Sequence, residues 1–141
     1  MRNKANFKGF EMHGYKKPET PKHYKSVYDV VDFLTDLPPL PFLFGDTIKR
    51  IVRLDRKGQK ALDLKKIEYN ITRMQGCKKS IELITALSNP IVSDRYGLDY
   101  SLQHFVQSYQ LNTHRADAVF RLMSGMAGIN VSEFIETLNN N

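Results

Sequence analysis

The sequence is poor in cysteine and in long apolar runs. Its 141 residues include one cysteine, Cys77, so an internal disulfide is excluded and a reducing compartment is the expected environment. No stretch approaches the roughly 18 consecutive apolar residues that a membrane-spanning helix requires. The first residues, MRNKANFKGFEM, contain no apolar core of a secretory signal. We therefore expect a protein of the cytoplasm that has no membrane partner.

The sequence also lacks the period-two alternation of strands, any visible internal repeat and a Walker-type phosphate-binding loop. Without alternating apolar and polar residues, the chain predicts an all-α fold, and its length suits one compact domain. Gly9 and Gly14 have the spacing of a phosphate-binding loop, but Tyr15 comes before Lys16 and no strand precedes them. We therefore exclude a loop of this type.

Acidic residues are scarce in the first part of the chain. Residues 1–80 contain 18 lysines and arginines against nine aspartates and glutamates, a net charge of +9, whereas residues 81–141 contain three against six, a net charge of −3. The whole chain carries +6, which favours a partner that bears phosphate or many negative charges. We expect that partner to contact the first part of the chain.

The chain divides into a basic arm and a helical domain. Residues 1–25 are polar and basic and contain Pro18 and Pro21, which predicts an extended, partly disordered arm. Residues 26–141 are predicted to form the all-α domain, with an antiparallel helical hairpin at 42–76 as its centre. Residues 91–98 are predicted to be a loop. The other predicted helices span Ser26–Leu37, Lys79–Ser88, Asp99–Tyr109, Asn112 or Thr113 to Gly125, and Ser132–Leu138.

The predicted hairpin combines apolar faces with a basic stripe. Its first helix is predicted to run from Phe42 to Lys57 and to end at Gly58, a residue suited to a left-handed C-cap. The basic stripe has few acidic residues four positions earlier, so we expect its cations to be unpaired and suited to phosphate. An ordinary solvated helix face is the alternative. The buried stripes are Phe44, Ile48, Ile51 and Val52, then Leu64, Ile67, Ile71 and Met74; the basic stripe is Lys49, Arg53, Arg56 and Lys57.

Three further features have two interpretations each. Gly45 precedes the basic stripe and would allow either a ligand or a neighbouring helix to approach closely. His23 would contact a phosphate or transfer a proton, or it is a surface histidine. Asp29 and Asp32 lie one turn apart on the first predicted helix, where we prefer a solvated helix face to a metal site.

Residues 23–69 contain a pattern that resembles a known family. A His-Tyr pair precedes a helix of acidic and aliphatic residues, and the pattern F..G...K...R...K.....DL.K follows, with a tyrosine behind it. In these features the chain resembles a small bacteriophage family of unknown function, one branch of which is a compact viral nucleotide kinase. Residues 26–76 would be the family-like core, and 77–141 additional helices. The matching residues are His23, Tyr24, Gly45, Lys49, Arg53, Lys57, Asp63, Leu64, Lys66 and Tyr69.

The resemblance implies a phage-encoded protein that acts on nucleotides in the host cytoplasm. It would transfer a phosphoryl group from a nucleoside triphosphate, the phosphate donor, to a deoxynucleoside monophosphate, and it would assemble as a homo-oligomer. Lys49 and Arg53 would act catalytically by neutralising phosphate charge, and His23 would place or protonate a phosphate. The resemblance also implies substrate-binding roles. Lys57 and Lys66 would contact phosphates, and Gly45 would let the ligand approach closely. Asp63 would orient a basic side chain or a sugar hydroxyl, and Tyr24 or Tyr69 would stack on the base.

Three positions depart from the family pattern. Asp46 and Arg50 stand where the family usually has asparagine and tyrosine, and Ile67 stands where it usually has a small residue. The sequence therefore leaves two alternatives to a nucleotide-binding function. A nucleic-acid-binding protein would place the arm and the basic hairpin on a phosphate backbone. A phage protein that binds and inhibits a host protein would use the acidic second half of the chain.

Overall fold

The computed structural model describes residues 28–56 and 58–141. These residues form helices and no β-strand, which confirms the all-α prediction. The predicted arm, the start of the first predicted helix and Lys57 lie outside the described residues. The described α-helices are α1 (Val30–Asp36), α2 (Phe42–Arg53), α3 (Lys60–Gln75), α4 (Lys78–Thr85), α5 (Pro90–Tyr96), α6 (Leu98–Tyr109), α7 (Thr113–Gly125) and α8 (Val131–Asn140), with short 3-10 helices at Ala86–Ser88 and Met126–Gly128.

Helix α1 begins with a capping box made by the two aspartates. The Asp29 side chain accepts a hydrogen bond from the Asp32 backbone N–H at 2.8 Å, and the Asp32 carboxylate accepts one from the Asp29 N–H at 3.2 Å. Each carboxylate therefore satisfies a backbone donor that the helix start leaves without a partner. Asp29 is buried. The prediction of a solvated aspartate face is therefore wrong at this position.

Helices α2 and α3 form the antiparallel hairpin, and their apolar stripes face the core as predicted. Helix α2 ends at Arg53, four residues before its predicted end at Lys57. Gly58 has a φ of 71°, so it does adopt the left-handed conformation that suits glycine. It does so inside the loop between the two helices and not as the C-cap of α2. The predicted end of α2 is too late because the loop has the same mixture of apolar and basic residues as the helix.

The second part of the chain contains one helix that the sequence analysis missed. Residues 91–98 were predicted to be a loop, but α5 occupies Pro90–Tyr96. The Asn89 side chain accepts hydrogen bonds from the backbone N–H groups of Ile91 and Val92 at 2.9 and 3.4 Å. Proline is favoured in the first turn because its missing N–H has no partner to lose there. The Asn-Pro pair that ends one helix therefore also begins the next.

One apolar core joins the hairpin to the helices that follow it. The Tyr109 hydroxyl, at the end of α6, accepts a hydrogen bond from the Val30 N–H of α1 at 2.8 Å, and the Phe33 and Phe105 rings stack at 4.3 Å. At the end of α3, Gln75 donates to the carbonyls of Met126 and Ile129 at 3.0 and 2.8 Å. Among the described residues no helix has the length and apolarity to cross a membrane.

Candidate phosphate-binding site

The centre of the candidate site is Asp63, a carboxylate with no solvent exposure in the first turn of α3. It accepts hydrogen bonds from Arg50 Nη1 at 2.8 Å and from Arg53 Nη2 at 2.7 Å. Arg53 Nε also lies 3.1 and 3.2 Å from its two oxygens. A buried carboxylate is tolerated only when cations and donors surround it. Asp63 therefore fixes two guanidinium groups of α2 against α3.

A second carboxylate, Asp46, extends this network along the hairpin. Arg50 Nε and Asn70 Nδ2 both donate to Asp46 Oδ2 at 2.8 Å. Burial of the Asp46 carboxylate raises its pKa, but the hydrogen bonds from Arg50 and Asn70 and the positive charges of Arg50 and Lys49 together outweigh burial. The net result is a pKa below the ordinary value, so Asp46 is ionised at neutral pH.

The prediction of an unpaired basic stripe is wrong for Arg53 and for Arg56. Arg53 binds Asp63, and Arg56 Nη2 donates to the Tyr109 carbonyl at 3.1 Å while its guanidinium lies 5.0 Å from the Tyr109 ring centre. The partner of Arg53 lies on the next helix, ten positions further along the chain, so the spacing of charges within one helix does not indicate it. Lys57, the last member, lies outside the described residues.

The two charged departures from the family pattern contact each other. Asp46 and Arg50 are four residues apart on α2, the spacing at which opposite charges pair on a helix. This pair was noted in the sequence only as two separate departures, although the spacing itself was a usable signal. Asn70 was likewise missed as a member of the network. Asp46 therefore adds no uncompensated negative charge at the site.

Hydrogen-bonding capacity for an anion remains on the outer side of this network. Within the described residues no group accepts a hydrogen bond from Arg50 Nη2. Lys66 is exposed on α3, one turn from both Asp63 and Asn70, and forms no ion pair with a described residue. The two arginines and two aspartates balance in charge, and Lys66 adds a positive charge to their surroundings.

An open groove of about 350 Å³ adjoins the network between α1 and α2. Its apolar wall includes Leu34 and the Pro38–Pro41 segment, and Phe42 at its edge is 82% exposed. Gly45 and Lys49 line the end nearest to Asp46. A Cβ atom on Gly45 would lie 3.3 Å from Leu34 Cδ1, so the glycine permits close packing of α1 on α2. The groove combines an apolar surface with a charged end.

The structure brings only some of the predicted site residues together. Arg53 and Asp63 are in direct contact, Lys49 and Gly45 line the adjoining groove, and Lys66 follows Asp63 on α3. Tyr69 is 56% exposed and precedes Asn70, so it points about 100° away from the network around the helix axis. Its stacking role there stays a prediction. His23, Tyr24 and Lys57 lie outside the described residues.

The described residues form an all-α fold in which a buried aspartate binds two arginines of a helical hairpin. Residues 18–72 match the model of a family of proteins of unknown function, DUF3310. The matched segment contains every predicted site residue and all of α1 and α2. Neither the curated proteins nor the solved structures gave a significant match.

Proposed function

We propose that this chain is a phage-encoded nucleotide-binding protein that transfers a phosphoryl group from a nucleoside triphosphate to a deoxynucleoside monophosphate. The observation that carries the proposal is the pair of arginines held by buried Asp63 beside Lys49 and the apolar groove. Phosphoryl transfer depends mainly on positioned charge and little on covalent chemistry by the protein. Cations that are already fixed lose little conformational freedom when a phosphate binds.

The arrangement suggests a division of roles between the network and the groove. Arg50 Nη2 and the ammonium groups of Lys49 and Lys66 would bind phosphate oxygens, while the apolar wall near Phe42 would receive the base. In the transfer, an oxygen of the monophosphate attacks the γ-phosphorus, and the bond from that phosphorus to its bridging oxygen breaks. Two nucleoside diphosphates result. The positive groups would stabilise the charge on the transferred phosphoryl oxygens.

The pairing of Asp46 with Arg50 supports this function in a chain that departs from the family pattern. An aspartate in place of asparagine would repel phosphate if its charge stood alone. Its partner Arg50 neutralises that charge at 2.8 Å and keeps a further N–H edge for an anion. The two departures therefore offset one another.

The first test is thermal stabilisation by nucleotides, because a ligand that binds only the folded state raises its melting temperature. We expect deoxynucleoside monophosphates or nucleoside triphosphates to stabilise the full chain, and Lys49→Ala to lose most of this shift. Arg95→Ala is the matched control, since Arg95 is an exposed cation of α5 outside the groove and the network. Asp63 is unsuitable for this purpose because its replacement would disturb the fold.

The second test is transfer itself, followed by the appearance of nucleoside diphosphate from both substrates. We expect activity in the full chain and in Arg95→Ala, and strong loss in Lys49→Ala with its melting temperature preserved. If no nucleotide changes the melting temperature, the proposal fails. If nucleotides bind through Lys49 but no diphosphate forms with any donor and acceptor, the transfer step is wrong and binding alone is retained.

A further inference from the structure

A second group of basic residues is exposed on α3 and the first turn of α4. We call it the outer basic face; it consists of Lys65, Tyr69, Arg73, Lys78 and Lys79. All five residues are exposed, and none of the four cations forms an ion pair with a described residue. Arg50, Arg53 and Arg115, by contrast, are all paired with aspartates.

The geometry of α3 places an aromatic ring between two cations. Lys65, Tyr69 and Arg73 follow at intervals of four residues, so they lie nearly in line over about 12 Å of helix. Lys78 and Lys79 continue the positive charge after the turn at Gly76. The nearby acids, Glu68 on α3 and Glu82 on α4, form no ion pair with a described residue. The face therefore keeps a net positive charge of two when both acids are counted.

Cations in a row with an exposed aromatic ring match the chemistry of a single-stranded polynucleotide. The cations would contact successive phosphates, and Tyr69 would stack on an unpaired base. In a duplex the faces of the bases are covered by their neighbours, so stacking on Tyr69 favours a single strand. We propose that the outer basic face binds a single-stranded polynucleotide. The sequence suggested the arm and the whole hairpin for nucleic acid; the outer basic face narrows this to the second helix of the hairpin and the start of α4, away from the Lys49–Lys57 stripe.

The inference does not depend on the proposed phosphoryl transfer. It uses none of Lys49, Arg50, Arg53 and Asp63, and each inference has its own readout. Mononucleotide stabilisation tests the network and the groove. The effect that substitutions in the outer basic face have on the binding of a long strand tests the second surface. Either result can fail while the other stands.

The experiment measures the fluorescence anisotropy of labelled oligo(dT) of about 16 nucleotides with the full chain. Titrations span about 50 to 200 mM salt, where loss of phosphate contacts is visible as a change in salt dependence. We expect Arg73→Ala to lower the slope of log K against log salt by about 0.7, as one lost contact to a single strand should. Arg95→Ala removes the same charge from α5 and should leave the slope unchanged.

Tyrosine 69 tests the stacking part of the proposal. Tyr69→Ala should weaken oligo(dT) binding about tenfold, the loss of one base stack, and Tyr69→Phe should keep the affinity because it retains the ring. The helical circular dichroism of each variant is compared with that of the unsubstituted chain, as a check that the variant is folded. Equal affinity for duplex DNA, equal slopes for Arg73→Ala and Arg95→Ala, or full affinity of Tyr69→Ala would each overturn the proposal. So would equal competition by poly-glutamate.

Discussion

At the scale of single residues, Asp63 joins the two helices of the hairpin through two arginines. It is fully buried and accepts hydrogen bonds from both Arg50 and Arg53. Replacing Asp63 by Ala would remove this carboxylate from two largely buried guanidinium groups, of which Arg50 would keep Asp46 as a partner. Breaking such a buried pair costs about 3–5 kcal/mol. We therefore expect Asp63→Ala to lower the free energy of unfolding by an amount in this range, measured by urea denaturation.

The control for this change is a carboxylate in a different setting. Asp94 is exposed on α5 and forms no ion pair with a described residue, so Asp94→Ala should change the free energy of unfolding by less than about 0.5 kcal/mol. Equal effects of the two substitutions would mean that Asp63 does not hold the arginines in solution.

Asp46 gives a prediction about pH. Its pKa is lower in the folded chain than the ordinary value, because the hydrogen bonds from Arg50 and Asn70 and the charges of Arg50 and Lys49 together outweigh the effect of burial. Ionised Asp46 therefore stabilises the fold above about pH 4, and this contribution is lost as the pH falls through the folded-state pKa. Between pH 5 and pH 3, we expect the melting temperature of Asp46→Asn to fall less than that of the unsubstituted chain. The difference should be on the order of the effect of one titrating group. An unchanged pH profile would contradict this assignment, and Asp94→Asn serves as the comparison.

The candidate site also shows where residue-level prediction stops. Lys49 and Arg53 were predicted from the basic stripe as well as from the family-like pattern, and Asp63 from that pattern alone. The contact between Arg53 and Asp63 was not predicted, because it joins one helix to the next and produces no periodic pattern within either. The Asp46–Arg50 pair, by contrast, lies within one helix, where charge spacing alone is sufficient to predict it.

At the scale of elements, interiors of helices were predicted better than their ends. The buried stripes of α2 and α3 repeat with the helical period, so their inward faces follow from the sequence. Helix ends depend on single capping contacts. Asn89 begins α5 where a loop was predicted, and α2 ends at Arg53 although basic and apolar residues continue beyond it. Such contacts are local choices that periodicity does not determine.

The packing of α1 on α2 gives a prediction at this scale. Gly45 faces Leu34, and a Cβ atom there would lie 3.3 Å from Leu34 Cδ1. Valine adds two further methyl groups, so Gly45→Val should separate the helices and lower the free energy of unfolding by about 1–3 kcal/mol, measured in urea. Gly45→Ala should be nearly neutral, since a better helix propensity of about 1 kcal/mol offsets the tight contact.

Gly128 provides the control for this substitution. A Cβ atom at Gly128 would meet nothing within 4 Å, and its φ is not positive. We therefore expect Gly128→Val to destabilise the chain less than Gly45→Val. The interpretation of Gly45 as a packing residue would be wrong if the two valine variants unfolded at the same urea concentration.

At the scale of the whole molecule, the family-like part and the following helices share one core. Phe33 of α1 stacks on Phe105 of α6, and the apolar residues of α3 lie in the same buried cluster as Phe134 and Leu138 of α8. The segment matched by the family model, residues 18–72, therefore supplies only part of the apolar surface that covers its own helices. This dependence bears directly on whether that segment can fold alone.

We expect a chain that ends at Gly76 to lose cooperative folding. It would expose Phe33, leave the Val30 N–H without the Tyr109 hydroxyl and leave Gln75 without its two carbonyl partners. Such a short chain buries too little apolar surface to offset its conformational entropy. Circular dichroism should show one sharp thermal transition for the full chain and a broad, low-amplitude change for residues 1–76. Adding residues 77–141 as a separate chain should restore part of the transition, because it returns the missing core surface. A sharp transition of residues 1–76 alone would instead show that the hairpin is an independent folding unit, and that the helices after it were added to a core already complete.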